Sequence, residues 1–157
     1  MKNSIVIHCS DSKWGCLDVI NDWHEKRSVT SKWIKPASNG VWCLYHIVIC
    51  NGYMYGSKKY NPEFDGYVQY ARPIGEKSNH AGNGNRINRI PTVGIVMIGE
   101  SGGFSDVQMY ALTQEIVKLQ PKSAHQHSEF DPARRAHCAG LSKHDMNALN
   151  LICDAKE

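Results

Sequence analysis

The sequence lacks a long apolar run. None approaches the roughly 20 residues that a helix needs to span a bilayer. Near the N-terminus the apolar run covers only Ile5 to Ile7 before His8 interrupts it, which is too short for a signal peptide. We therefore predict a cytoplasmic protein with no signal peptide and no stable membrane insertion.

The chain also has little excess of positive or negative charge. The formal net charge is +3, and the basic residues are scattered along the chain rather than gathered into a stripe. A surface of this kind attracts polyanions only weakly, so we predict no nucleic-acid binding. Internal repeats and low-complexity tracts are absent as well, which excludes repeat architectures.

The six cysteines show no disulfide or zinc-knuckle pattern. Cys9 and Cys50 stand in apolar, strand-like runs, and without a signal peptide we predict reduced, buried thiols rather than a disulfide framework. No second cysteine stands at CxxC spacing from Cys138, which disfavours a structural zinc site closed by local ligands.

The length of 157 residues predicts one domain over residues 1–157. Apolar periodicity and turn residues predict strands at 4–9, 42–50 and 92–98, a short strand at 123–127, and helices at 17–26, 105–119 and 142–154. Asn51-Gly52 predicts a tight hairpin into 53–55, and 58–91 is predicted to be irregular. This order predicts an α/β fold with a mixed central β-sheet flanked by helices.

Candidate metal ligands are concentrated in the segment 123–140, which contains His125, His127, His137 and Cys138. Imidazole and thiolate are ligands that zinc prefers, and a catalytic zinc takes three protein ligands and leaves one position open. A third ligand from a distant part of the chain is then expected. His8 ends the first strand, and if that strand neighbours 123–127, the His8 and His127 imidazoles converge and Cys138 completes the set. Alone, His8 would be interpreted as a core histidine.

Six segments, in this chain order, resemble the zinc-dependent N-acetylmuramoyl-L-alanine amidases, the family of short phage endolysins, muropeptide-recycling amidases and peptidoglycan recognition proteins. They are IVIHCS at 5–10, DWHEK at 22–26, LYHIVICNGYMYGS at 44–57, NHAGNGN at 79–85, TVGIVMIGE at 92–100 and HSEFDPARRAHCAG at 127–140. The resemblance covers nearly the whole chain and implies the type 2 amidase fold.

The resemblance also implies a zinc site. His8 matches the first ligand of the family, and His127 matches the second because Glu129 and Pro132 complete the pattern H-x-[DE]-x-x-P. The third ligand is Cys138 by its position near the end of the motif. His137 is the alternative, because its offset from His127 equals that of an aspartate ligand in many members.

Catalytic and substrate-contacting residues follow from the same resemblance. Tyr45 matches a tyrosine that would orient water or relay a proton. Arg135 stands where the family has a lysine, and it would stabilise the oxyanion with a different reach and geometry. His80 and Asn79, in the NHAG loop, would bind substrate.

The implied activity is hydrolysis of the amide between N-acetylmuramic acid and L-alanine in peptidoglycan. Val96 stands where recycling-type amidases carry a glutamate, which favours a monomeric, bacteriolytic phage endolysin that reaches the cell wall through a holin or a secretion machinery. Three alternatives remain: a non-catalytic peptidoglycan-binding module, a cytosolic muropeptide-recycling amidase, and a protein whose metal is regulatory or structural.

Overall fold

A computed structural model describes residues 2–56 and 59–155. Ser57, the last residue of the 44–57 segment, and Lys58, the first of the predicted irregular stretch, lie outside the described residues, as do the two ends of the predicted domain. The strands are β1 (Ile5–Cys9), β2 (Ile47–Asn51), β3 (Asp65–Tyr70), β4 (Arg86–Ile87), β5 (Ile90–Pro91), β6 (Val93–Met97) and β7 (Ala124–Gln126). The helices are α1 (Leu17–Ser28), α2 (Asp106–Leu119) and α3 (Lys143–Asp154).

The central sheet has the strand order β3-β2-β6-β1-β7. β1 runs parallel to both of its neighbours, β6 and β7, and β2 runs parallel to β6. β3 pairs with β2 in the antiparallel direction. The sheet is therefore mixed, and the predicted α/β fold with a mixed central sheet flanked by helices is confirmed. β4 and β5 form a separate small ladder.

Apolar side chains cover both faces of the sheet because the inner strands are buried on both sides. One face carries Ile7 and Ile95 and packs against α2 and α3. The opposite face carries Val48 and Val96 and packs against α1, with Cys16, Cys43 and Cys50 among its side chains. All six cysteines are free thiols, and five are buried, whereas Cys9, predicted to be buried, is half-buried.

Capping residues define the starts of α2 and α3. Ser105 accepts a hydrogen bond from the Gln108 amide, and the Gln108 side chain accepts one from the Ser105 amide, which makes the predicted capping box. Ser142 caps α3 through the Asp145 amide. Within the described ranges, none of the helices is both long enough and apolar enough to cross a bilayer.

The predicted strand at 42–50 begins too early. Its first part binds side chains of α1 instead of a neighbouring strand: Asn21 accepts from the amides of Trp42 and Cys43, and His24 accepts from the amide of Leu44. These amides are therefore already satisfied, and regular pairing starts only at Ile47.

The predicted hairpin at Asn51-Gly52 is wrong, and so is the wholly irregular 58–91. Gly52 has a φ of +93°, and the ring of Tyr60 occupies the place of a side chain there, with an atom 2.4 Å from where a Cβ would lie. The strand that pairs with β2 here is β3, whose Asp65 lies opposite Asn51, so the two strands are not joined by a two-residue turn. The sequence signal predicted positive φ at both Asn51 and Gly52; it was correct for Gly52, wrong for Asn51, and wrong for the length of the connection.

Candidate metal centre

The sheet topology brings the candidate ligands together. β1 and β7 are parallel neighbours with Ile7 opposite Gln126, so their carboxyl ends lie side by side. His8 occupies the end of β1, and His127 begins the short 3₁₀ turn that follows β7. The convergence of these two imidazoles, expected from the sequence if the strands were neighbours, is what the fold produces.

Three side chains meet at this edge of the sheet. The ligand atoms of His8, His127 and Cys138 all lie within 4.8 Å of one another. The Nδ1 atoms of His8 and His127 are 3.1 Å apart, close to the roughly 3.4 Å expected for two nitrogens around a tetrahedral zinc at about 2.05 Å. Two imidazoles and a thiol suit zinc, and no fourth His, Cys, Asp or Glu joins the group within residues 2–56 and 59–155.

Backbone contacts from three segments hold Cys138 in place. The Cys9 amide donates to the Cys138 sulfur at 3.3 Å, and the Ser128 amide donates to the Cys138 carbonyl at 2.7 Å. The next residue, Ala139, accepts from the Gly102 amide at 3.0 Å. A side chain at Gly140 would collide with the backbone at Gly102, since its Cβ would lie 2.5 Å from the Gly102 nitrogen.

His137, the alternative third ligand, lies outside the group. Its side chain is exposed, and its carbonyl accepts a hydrogen bond from the Ser101 hydroxyl. His125, the remaining imidazole of the 123–140 segment, binds Ser123 and lies 3.5 Å from Glu129. The geometry therefore favours Cys138 as the third member.

Burial keeps the two histidines neutral. It lowers the pKa of His8 well below the ordinary value, and the neighbouring His80 and His127 rings lower that pKa further. The pKa of His127 is lowered by burial and then by the charge of Arg135. A neutral imidazole has the lone pair that a metal requires. The hydrogen bond with the Cys9 thiol and burial both raise the pKa of Cys138, so metal binding there would have to release a proton.

Tyr45 lies against the group from the α1 side of the sheet. Its ring centroid is 4.9 Å from that of His8 and 5.6 Å from that of His24. Burial raises the pKa of Tyr45, with further contributions from Cys138 and Cys43. The phenol is therefore protonated at neutral pH and is available as a hydrogen-bond donor to a molecule in the groove.

Arg135 lies on the exposed loop between His127 and Cys138. Its carbonyl accepts from the Cys138 amide at 3.0 Å, and its amide donates to the Asp131 carbonyl at 2.8 Å. The adjacent Arg134 points to Asp131 with a separation of 3.4 Å. Arg135 lines the groove, and its charge lowers the pKa of His127.

His80 and Asn79 were predicted to bind substrate, and the structure shows which protein groups they contact. The His80 ring is 6% exposed, with one nitrogen 2.9 Å from His8 and the other 3.1 Å from Thr92. Both ring nitrogens therefore have protein partners, His80 also lines the groove, and substrate binding by His80 stays a prediction. Asn79 is partly exposed and donates to the Trp33 carbonyl at 2.9 Å, so it holds the rim of the groove.

A groove of about 1050 Å³ opens in front of the metal group. Its lining includes Arg27, Trp33, Tyr45, Arg134 and Arg135. Sequence analysis missed Thr92 and Cys9 as neighbours of the site. No spacing rule identifies their contacts, because Thr92 meets His80, and Cys9 meets Cys138, only in the folded chain.

No protein-family model and no curated protein sequence matches this chain. One solved structure that is similar in fold is N-acetylmuramoyl-L-alanine amidase LysC from Clostridium intestinale URNW, with a TM-score of 0.62 and 18% sequence identity. The alignment covers 95% of this chain and 85% of that one. This likeness establishes that the two proteins share a fold.

Proposed function

We propose that this protein is a zinc-dependent N-acetylmuramoyl-L-alanine amidase that degrades peptidoglycan. The observation that carries the proposal is the convergence of His8, His127 and Cys138, with all ligand atoms within 4.8 Å, at the base of an open groove. The shared fold with LysC, which is named as an N-acetylmuramoyl-L-alanine amidase, gives independent support for the reaction class. Fold alone would not be sufficient, because one fold hosts many activities.

The reaction is hydrolysis of the amide between the lactyl group of N-acetylmuramic acid and L-alanine. Water adds its oxygen to the lactyl carbonyl carbon, the carbon–nitrogen bond breaks, and the alanine nitrogen gains a proton. The products are a lactyl carboxylate and a peptide with a free N-terminal alanine. This chemistry needs an activated nucleophile, a stabilised oxyanion and a proton for the leaving amine.

His8, His127 and Cys138 would hold the zinc. A zinc ion bound by three protein ligands supplies a Lewis acid and lowers the pKa of water toward about 7. Tyr45, protonated and beside His8, orients the attacking water or the carbonyl through its hydroxyl group. Arg135 places a positive charge where negative charge develops on the carbonyl oxygen. The groove aligns the substrate across these two groups.

A phage-type endolysin is the form of the enzyme that we propose. Val96 is fully buried and pairs with His8 across β1 and β6, so it lies next to the metal group. In recycling-type amidases a glutamate occupies this position, and here no carboxylate is available from it. The endolysin would act on cell-wall peptidoglycan after a holin or a secretion machinery gives it access from the cytoplasm.

The test is product analysis with purified protein and purified peptidoglycan sacculi. We expect new amino groups, identified as N-terminal alanine by dinitrophenylation, with no increase in reducing sugars. A chelator should abolish the release and added zinc should restore it. Binding to sacculi without amine release would instead support the binding-module alternative, and activity restricted to soluble muropeptides would support the recycling alternative.

A further inference from the structure

A buried chain of hydrogen bonds runs from His8 through His80 to Thr92. The His8 Nε2 atom is 2.9 Å from His80 Nδ1, and His80 Nε2 is 3.1 Å from the Thr92 hydroxyl. That hydroxyl donates to the Gly84 carbonyl at 2.5 Å. His8, His80 and Thr92 are 1%, 6% and 1% exposed, so bulk water does not compete for these contacts.

The last acceptor, the Gly84 carbonyl, determines which atom donates in each of these hydrogen bonds. A carbonyl only accepts, so the Thr92 hydrogen points to Gly84 and the Thr92 oxygen accepts from His80 Nε2–H. In a neutral His80 the Nδ1 atom then carries a lone pair and accepts from His8 Nε2–H. The His8 Nδ1 atom is left with its own lone pair, and that atom lies 3.1 Å from His127 Nδ1.

The surroundings of His80 leave little room for another ring position. Its nearest imidazole besides His8 is His46, at 5.8 Å between ring centroids. His46 is itself fixed, because its Nδ1 accepts from the Gly94 amide and its Nε2 donates to the Glu76 carbonyl. A Cβ at Gly94 would lie 2.8 Å from His80 Cγ, so the strand opposite the ring has a glycine where any side chain would collide.

We infer that His80 is a positioning residue, which with Thr92 fixes His8 as the Nε2-protonated tautomer and directs its Nδ1 lone pair to the metal. The inference rests on the proposed function for the identity of the metal. Outer partners of a ligand histidine commonly set its tautomer and orientation. Here that partner is a second neutral imidazole, locked in turn by a threonine, rather than a carboxylate.

The direct test is the tautomeric state of the two rings. Long-range ¹H–¹⁵N correlation spectra of the ¹⁵N-histidine-labelled full chain at pH 7.5, without zinc, should show both His8 and His80 protonated at Nε2. A His8 ring protonated at Nδ1, or averaged between tautomers, would overturn the inference. In Thr92→Val, which removes the acceptor with little change in shape, His80 should lose its fixed tautomer; a retained one would count against the threonine's role.

Zinc affinity gives a second measurement, by competition with a chromophoric chelator. His80→Phe fills the space without an acceptor and should weaken zinc binding by about 10–100-fold. His80→Asn keeps an acceptor near the Nδ1 position and should bind zinc more tightly than His80→Phe. Thr92→Val should weaken binding by about threefold or more. Equal loss in His80→Phe and His80→Asn, or no loss in His80→Phe, would contradict a positioning role.

A purely structural role is separated by thermal unfolding without zinc. A structural residue changes the melting temperature of the zinc-free chain, whereas a positioning residue changes the increment that zinc adds. If His80→Phe fails to fold, the Thr92→Val spectra and affinity still decide the question. None of these measurements uses peptidoglycan, so a protein that binds zinc as described but cleaves nothing would refute the proposed function and leave this inference standing.

Discussion

The backbone amide of Cys9 donates a hydrogen bond to the sulfur of Cys138 at 3.3 Å. This contact joins the end of the first strand to a loop near the other end of the chain. An amide donor stabilises a thiolate more than a thiol, so this contact opposes the Cys9 thiol and the burial, which together raise the pKa of Cys138. Because the donor is the backbone, the side chain of Cys9 is not needed for the contact.

Loss of Cys138 should therefore remove zinc, whereas loss of His137 should not. The binding free energy of a structural zinc held by four ligands is about 10–16 kcal/mol. One ligand therefore contributes about 3 kcal/mol, which corresponds to a change in zinc affinity on the order of 10²-fold. We expect Cys138→Ser to lose that much and His137→Ala to stay within about twofold, measured by chelator competition and metal analysis. The reverse result would assign the third ligand to His137.

Tyr45→Phe should lower kcat/KM by about 10²-fold or more while zinc binding stays unchanged. The ring that packs on His8 is kept, and only the hydroxyl is removed. Positioned proton donors and acceptors typically contribute about 10²–10⁴-fold to a rate. Initial rates on dye-labelled sacculi measure the loss. A rate within threefold of the parent protein would remove Tyr45 from the chemistry.

Arg135 and Arg134 form a matched pair for testing the oxyanion role. Arg134 contacts Asp131. The charge of Arg135, by contrast, is the second cause, after burial, of the lowered pKa of His127. We expect Arg135→Gln to lower kcat by about 10²-fold, the order seen when one oxyanion donor is removed. Arg134→Gln should change kcat by less than about threefold. Equal effects would mean that both residues act only through the general charge of the groove.

Arg135→Lys restores the residue type that the resembling family carries. A lysine keeps the charge but presents it as a compact ammonium rather than a planar guanidinium. We expect kcat to stay within about tenfold of the parent, well above that of Arg135→Gln. If the two variants are equally slow, the guanidinium geometry rather than its charge is what the reaction uses.

The sequence predicted the ligand group and most of the sheet because those features are local or follow from strand order. His8 ends a short β-branched run, His127 follows another, and parallel neighbours place the ends of both strands at one edge. The same reasoning predicted the capped start of α2 at Ser105, since a capping box needs only residues three apart.

The features that the sequence did not predict depend on contacts between distant segments. Residues 42–44 have the composition of a strand, yet Asn21 and His24 occupy their amides. His80 was predicted only as a substrate-contacting residue, and only the fold shows it hydrogen-bonded to His8 and Thr92. In both cases a polar side chain from another element decides the outcome, and apolar periodicity carries no information about it.

Stability should fall as the pH is lowered, partly because of His24. Burial, and then the charge of Arg27, lowers the pKa of His24 from 6.5 to about 4. In the unfolded chain the ring has its ordinary pKa, so between pH 6.5 and 4 protons bind the unfolded chain more readily and stability is lost. The loss assigned to His24 between pH 7.5 and 5.0 is about 2 kcal/mol.

His24→Asn isolates this contribution. The amide oxygen of asparagine can accept from the Leu44 amide as His24 Nδ1 does, but it does not titrate. Urea unfolding at pH 7.5 and 5.0 should show a difference in the free energy of unfolding that is about 2 kcal/mol smaller in the variant. The same difference in both proteins would place the acid sensitivity at other groups.

Gly94→Ala should weaken zinc binding without altering any polar group of the centre. The new Cβ would lie 2.8 Å from His80 Cγ and Nδ1, and β6 is fully buried, so the imidazole must shift from its contact with His8. Overpacking of this kind costs about 1–3 kcal/mol in the free energy of unfolding.

Ile49→Val is the control, since it costs about 0.5–1.5 kcal/mol in the core on the opposite face of the sheet. We expect both variants to be destabilised in urea and only Gly94→Ala to lose zinc affinity, by about 10-fold or more. Equal zinc affinity in the two variants would mean that His8 holds its orientation without help from the His80 ring.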